Sequence, residues 1–220
     1  MMNRRIFLVR ATLLPMALAV GWLGGCSAPD KPTISLYLTI QRGDIDQLRR
    51  HLYWGTPVDD PLPNGRYPLH EAAAQGRVVM MRMLLEHGVQ LDPRDRDGHT
   101  PLELAILNGR TQAADVLIKA GARFDPSDML LEVARQDITD RDVVRYLKAK
   151  GADLDVRDEN GNTPLLIAAG HGNHRLVHHL IEFGADINAH NKTGDTALQI
   201  VRRMGLPELE RFLRNNGAIE

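Results

Sequence analysis

The sequence predicts an all-α solenoid of about six helix-turn-helix repeats with short hairpin fingers, and three observations predict it. Glycines stand at Gly55, Gly88, Gly121, Gly151, Gly184 and Gly217, spaced by 33, 33, 30, 33 and 33 residues. A second set, Gly43, Gly76, Gly109, Gly172 and Gly205, precedes most of these at a constant offset. Helix-start text recurs in the same register: Tyr67-Pro68-Leu69-His70-Glu71-Ala72-Ala73, Thr100-Pro101-Leu102-Glu103-Leu104-Ala105, Thr163-Pro164-Leu165-Leu166-Ile167-Ala168-Ala169 and Thr196-Ala197-Leu198. A core spread along such a row replaces the single core that a chain of 220 residues would otherwise permit.

The clearest unit runs from Asp158 to Asn188. Asn160-Gly161 is a turn dipeptide, because both residues tolerate positive φ. Thr163 can cap the first helix, and Pro164 at its first position has no donor to waste. Leu165 to Ala169 make a short apolar helix that Gly172 ends. Asn173 caps a second helix with Leu176, Val177, Leu180 and Ile181 on one face, and Gly184 ends it. Neither helix is long enough to be stable alone in water, so the unit needs neighbours.

These residues together resemble the ankyrin family, whose 33-residue period and T-P-L-H-x-A signature match over about residues 33–220. The resemblance implies repeats at about 33–60, 61–93, 94–126, 127–156, 157–189 and 190–220, a protein-binding role and no catalysis. It also implies that His70 is a structural histidine whose ring hydrogen-bonds within the turn.

Residues 1–25 read as an export signal, with Arg4, Arg5 and Arg10 in front of an apolar stretch from Ala11 to Leu23. That stretch is too short to span a bilayer. Leu23-Gly24-Gly25-Cys26 looks like a bacterial lipobox, which implies cleavage before Cys26 and its acylation. Cys26 is the only cysteine, so no intramolecular disulfide forms. Ser27 after it implies the outer rather than the inner membrane. Asn3-Arg4-Arg5-Ile6-Phe7-Leu8 is similar to a twin-arginine motif, and general secretion is the other route. Residues 26–32 form a lipidated tether, whose six residues after Cys26 reach at most roughly 20 Å, which holds the solenoid close to the bilayer.

The terminal repeats are expected to be capped. Arg50 and His51 stand where the second repeat has Met83 and Leu84, and Glu210 and Arg214 stand in the registers of Val177 and Ile181. Fingers are expected at Asp59–Tyr67, Arg94–His99, Arg157–Asn162 and His190–Asp195, with tips that either bind a partner or are simply solvated. The fourth repeat has none: Pro126-Ser127-Asp128 passes almost directly into a helix expected over Met129–Arg135. Asp137 replaces the helix-ending glycine, and Thr139 with Asp142 reads as a cap. The missing finger leaves a notch, either part of the recognition surface or drift in a repeat that need only stack.

The candidate partner-binding residues are finger-tip and exposed first-helix positions: Glu71, Gln75, Arg96, His99, Leu104, Leu107, Asn108, Asp128, Glu159, Ile167, His171, Lys192 and Arg203. By the same register Ala74, Ile200 and Met204 share that face. Leu104, Leu107 and Ile167 are apolar where water is expected, which fits either an interface centre or packing between repeats. His171, His174 and His178 are metal candidates, because four of the nine histidines crowd the fifth repeat and His174 and His178 share a helix face. No metalloprotease motif, nucleophile elbow or phosphate loop accompanies them, so neither enzyme nor cofactor is expected.

Without residues 1–25 the chain has 24 basic and 28 acidic residues, a net charge of −4, which does not suit nucleic acid. The sequence therefore points to a monomer that meets the membrane through its N-terminal lipid, faces the periplasm and holds one protein partner. Within that class the expectation is an immunity-type inhibitor of a toxin acting in the periplasm. The alternatives are an accessory in peroxide defence beside a periplasmic catalase, a non-inhibitory envelope scaffold and, from another class, a histidine-based metal protein.

Overall fold

The computed structural model describes residues 28–219. The expected export signal and lipobox, with Cys26, lie outside the described residues. No helix among the described residues is long and apolar enough to cross a membrane.

From Lys31 onward twelve helices follow one another in pairs. They are α1 (Leu36–Arg42) and α2 (Ile45–Tyr53), α3 (Pro68–Ala74) and α4 (Val78–Glu86), and α5 (Pro101–Leu107) and α6 (Thr111–Ala120). The second half adds α7 (Pro126–Arg135) and α8 (Arg141–Ala149), α9 (Pro164–His171) and α10 (His174–Glu182), and α11 (Ala197–Arg203) and α12 (Pro207–Asn215). The six repeats expected from the glycine period are all present. Among the described residues the fingers contain one isolated antiparallel bridge, His190 to Thr196, and no longer strand.

Local chemistry starts and stops each helix. Thr100 and Glu103 form a reciprocal cap: the Glu103 N–H donates to Thr100 Oγ1 at 3.2 Å and the Thr100 N–H to Glu103 Oε2 at 2.8 Å. Thr196 and Gln199 repeat the arrangement on α11. Thr163 and Asn173 cap α9 and α10 as their sequence positions require. Gly172 ends α9 at φ 67°, a left-handed conformation that costs glycine no steric clash.

The second helix of the fourth repeat departs from expectation. Its N-cap is Asp140, not Thr139, and the Asp140 carboxylate accepts the Asp142 N–H at 2.8 Å. Asp140 is the residue with the extended backbone of an N-cap, so its side chain meets the first free N–H groups of α8. α7 also begins at Pro126, three residues before the expected Met129, because Asp125 caps it through the Ser127 and Asp128 N–H groups. Asp137 does take the glycine's place, at φ 56°, a region that a short polar side chain tolerates best.

Packing is continuous from Leu36 to Leu213. Leu69, Leu102, Leu165 and Leu198 hold the same position in their first helices and are each at most 1% exposed. The first helices line up as α1, α3 and α5 and again as α7, α9 and α11, each packed on the next. Between α5 and α7 the backbones approach much less closely than between α3 and α5. The row opens at the repeat that lacks a finger.

The ends correct one expectation and fit the other. His51 is not an outward polar residue: it is 5% exposed, with Nε2 2.9 Å from the Ile34 carbonyl and Nδ1 3.0 Å from Thr56 Oγ1. The first repeat buries it because the chain entering α1 and the turn after α2 both close over its ring. At the other end Glu210 pairs with Arg202 at 3.3 Å and Arg214 at 3.2 Å, leaving a charged final face.

Candidate functional site

The opening between α5 and α7 is a cavity of about 730 Å³. Its near wall is the finger before α5, with Arg94, Asp97, Gly98 and His99, together with Glu103 of α5. Its far wall is the finger before α9, with Arg157, Asp158 and Glu159. α7 forms the base, where Met129 and Leu131 are each 4% exposed and Phe124 is half-buried. Asp125, Asp128, Glu132 and Arg135 stand around them, with Arg123 at the entrance to α7. Met129 and Leu131 are too deeply buried to offer much surface, so the cavity presents mainly charged side chains around half-buried Phe124, a composition suited to a polar protein contact rather than to an apolar small molecule.

The near wall is held in place by its neighbours. His70 accepts the Tyr67 N–H on Nδ1 at 3.3 Å, so its proton sits on Nε2 and is donated to the His99 carbonyl at 2.9 Å. His70 thus spans two fingers, beyond the single turn expected of it, and burial pushes its pKa below the usual value. Arg66 Nε stands 3.4 Å from Oδ2 of Asp95, whose side chain is almost wholly buried. The His99 ring faces the cavity with Nε2 3.0 Å from Gln136 Nε2 and 4.0 Å from Glu132 Oε1. Across the opening, Asp158 closes the far finger by accepting the Asn160 and Asn162 N–H groups, each at 2.8 Å. Partial burial pushes the Asp158 carboxyl up, and these hydrogen bonds outweigh it and leave the pKa lowered.

Of the thirteen candidate binding residues, the cavity brings together three: His99, Asp128 and Glu159. Three others are not surface residues at all. Leu104 and Leu107 are 4% and 7% exposed, because α5 is packed so closely that six of its seven residues are buried. Glu71 is 5% exposed and structural, accepting Gln75 Nε2 at 2.9 Å, Asn64 Nδ2 at 3.1 Å and the Gln41 side-chain amide. Ala74 is buried with it. Ile167 is half-buried against the core, and Gln75 lies beside a smaller hollow between α3 and α6.

The remaining candidates are exposed but occupied or apart. Asn108 donates Nδ2 to the Leu104 carbonyl at 2.8 Å, and Arg203 makes two 3.1 Å bonds to Asp195. Arg96 and Lys192 lie across the turn glycines of the preceding fingers, and His171 sits exposed at the end of α9. The candidate set left out Arg94 and Asp97, although both lie in an expected finger, and Arg123, Glu132 and Arg135. Their signal was the density of charge on either side of the absent finger.

The metal candidates do not converge as expected. His178 groups with His179 and Glu182, and neither His171 nor His174 joins them. A second group, Asp95, Asp97 and His99, belongs to the near wall of the cavity. Glu182 is already engaged by Arg141, whose hydrogen bonds and charge hold its carboxyl down to about 2. The His178 ring is stacked on Phe212 at 5.4 Å.

The family model described as "Ankyrin repeats (3 copies)" matches residues 36–128 and 130–219. No curated protein matches the chain. The human ASB11 ankyrin repeat domain is similar at 26% identity and a TM-score of 0.66, over 84% of this chain and 85% of that one. A chain in the complex of the predatory endopeptidase Bd0816 from Bdellovibrio bacteriovorus with immunity protein Bd3460 is similar at 25% identity and a TM-score of 0.62. That match covers 84% of this chain and 99% of the other. The ankyrin repeat domain of Bcl-3, described as a unique member of the IkappaB protein family, shares the fold at 24% identity and a TM-score of 0.64, over 86% and 89% of the two chains. The chain belongs to the ankyrin-repeat family.

Proposed function

We propose that this chain is a lipid-anchored, periplasm-facing binding module that holds one protein partner, and that the partner is a toxin whose activity it blocks. The observation that carries the reading is the cavity at the fourth repeat, where an otherwise regular row opens and gathers charged side chains from two fingers and α7 around half-buried Phe124. A repeat that needed only to stack would gain by closing that gap. The likeness to a chain in an endopeptidase–immunity protein complex supports the inhibitory form of the role.

In this reading the protein is not an enzyme: of the cavity's titratable groups, His99 is engaged by Gln136 and Arg135 by Glu132, in service of the fold. Cys26 carries the lipid, the short tether keeps the binding face near the outer membrane, and the protomer works as a monomer. Affinity purification of the tagged full chain from detergent-solubilised membranes, followed by quantitative mass spectrometry, tests it. One partner at near-equal molar amount, with its activity suppressed in the complex, is the expected result; no stoichiometric partner overturns it. Cys26→Ala is expected to move the protein to the soluble fraction, and an unchanged membrane fraction refutes the anchor.

A further inference from the structure

Neighbouring fingers are joined by a repeated device. Arg96 lies across Gly65 of the finger before it, so that a Cβ there would collide with the Arg96 stem, and Lys192 lies across Gly161, where a Cβ would sit 3.0 Å from both its Cγ and its backbone N. The spacing along the chain from glycine to cation is the same in both cases. At that spacing from Gly98 stands Met129, which is folded into α7 because the fourth finger is absent. Nothing lies within 4 Å of the corresponding position over Gly98. The vacancy opens on the cavity.

Both signs of charge line the cavity, and those left without a partner are mostly acidic. Asp97, Asp128 and Glu159 line the cavity, and none of their side chains has a partner among the described residues. Of the facing cations, Arg135 pairs with Glu132 at 3.6 Å, Arg157 bonds the Gly161 and His190 carbonyls, and Arg94 bonds the Gly98 carbonyl. Arg123 alone has no partner there. Arg94 does not block the seat, since Arg157 makes the equivalent contact to Gly161 at 3.0 Å while Lys192 crosses that glycine.

We infer that the cavity receives a tight turn from the partner protein that stands in for the missing finger, with a lysine or arginine laid across Gly98. Its aliphatic stem covers the glycine, and its charged end meets Asp97, Asp128 and Glu159, as long cationic side chains commonly do. The inference rests on the protein-binding reading and adds the chemistry of the bound segment: a turn loop carrying a cation.

The test uses a defined probe. A disulfide-cyclised peptide with this chain's own finger sequence His190–Asp195 is titrated into the ¹⁵N-labelled full chain in detergent, beside the same peptide with Lys192→Glu. The expected result is shifts confined to the amides of Gly98, Asp128, Glu159 and their neighbours, with at least tenfold weaker binding for the glutamate peptide. In the doubly neutralised Asp128→Asn, Glu159→Gln protein, whose melting temperature should match the wild type, the affinity for the lysine peptide should also fall about tenfold. Equal binding of both peptides, shifts centred elsewhere, or no shift at millimolar peptide overturns the inference. These outcomes are independent of the membrane purification: a stoichiometric partner recovered there, together with a silent peptide, would leave the binding-module reading standing and remove this one.

Discussion

His70 and His99 are fastened to each other across two repeats: the His70 ring donates Nε2–H to the His99 carbonyl at 2.9 Å while accepting the Tyr67 N–H on its other nitrogen. One side chain thereby fixes its own helix start and the finger that forms the cavity wall.

That bond predicts an acid sensitivity. Burial lowers the pKa of both His70 and His51, which are neutral in the fold. A histidine whose folded pKa is depressed stabilises above its unfolded value of about 6.5, and the contribution is lost as pH falls from there through the folded values. Melting temperature should therefore drop on going from pH 7 to pH 5. His70→Gln should reduce that drop while lowering stability at pH 7 by about 1–3 kcal/mol, the cost of disturbing a buried hydrogen-bonded group. An unchanged pH slope in the variant would count against the assignment.

Asp137 holds a conformation that glycine adopts more readily, at φ 56°. It also accepts from Asn173 Nδ2, so its carboxylate ties the fourth repeat to the fifth. Asp137→Ala removes that acceptor and places an ordinary side chain in the left-handed region, for an expected loss of about 1–2 kcal/mol in urea unfolding. Asp137→Gly should cost less, because it relieves the strain while losing the same bond. Equal losses would show that the backbone there is not strained.

Core and cap positions should separate by size of effect. Leu102 is 1% exposed between first helices, and Leu102→Ala is expected to cost about 2–5 kcal/mol. Thr100 caps the same helix, and Thr100→Ala should cost about 0.5–2 kcal/mol. Chemical denaturation of the two variants checks the order. A larger loss at Thr100 would mean that the row is held more by its turns than by its packing.

The repeat period, the helix starts and the missing finger were legible in the sequence because each depends on local residues: Pro164 and Thr163, the glycines, the shortened approach to Ala134. Depth was not. Leu104 and Leu107 sit at positions that an isolated helix would expose, and only the closeness of α3 and α6 to α5 buries them. Glu71 looked like a surface acid because nothing in its own segment shows that Gln41, Asn64 and Gln75 converge on it. The cavity itself was half legible. The gap followed from counting residues, whereas its lining joins two expected fingers far apart in sequence, from which the candidate set took only His99 and Glu159, with Asp128 between them.

The surfaces outside the cavity make a sharp contrast for mutation. Asn108 and His171 are exposed on first-helix ends away from its lining, whereas Asp128 and Glu159 lie within it. Exchanging Asp128 and Glu159 for lysine, or Asn108 and His171 for lysine and glutamate, should lower melting temperature by only a few degrees: Asp128 leaves the first turn of α7 and Asn108 gives up its bond to the Leu104 carbonyl, each worth about 1 kcal/mol. The most direct measurement compares stoichiometric partner recovery from solubilised membranes for the wild type, for Asp128→Lys with Glu159→Lys, and for Asn108→Lys with His171→Glu. Loss of the partner in the first pair and its retention in the second is the predicted result; retention in the first pair with loss in the second would contradict the placing of the binding face at the missing finger.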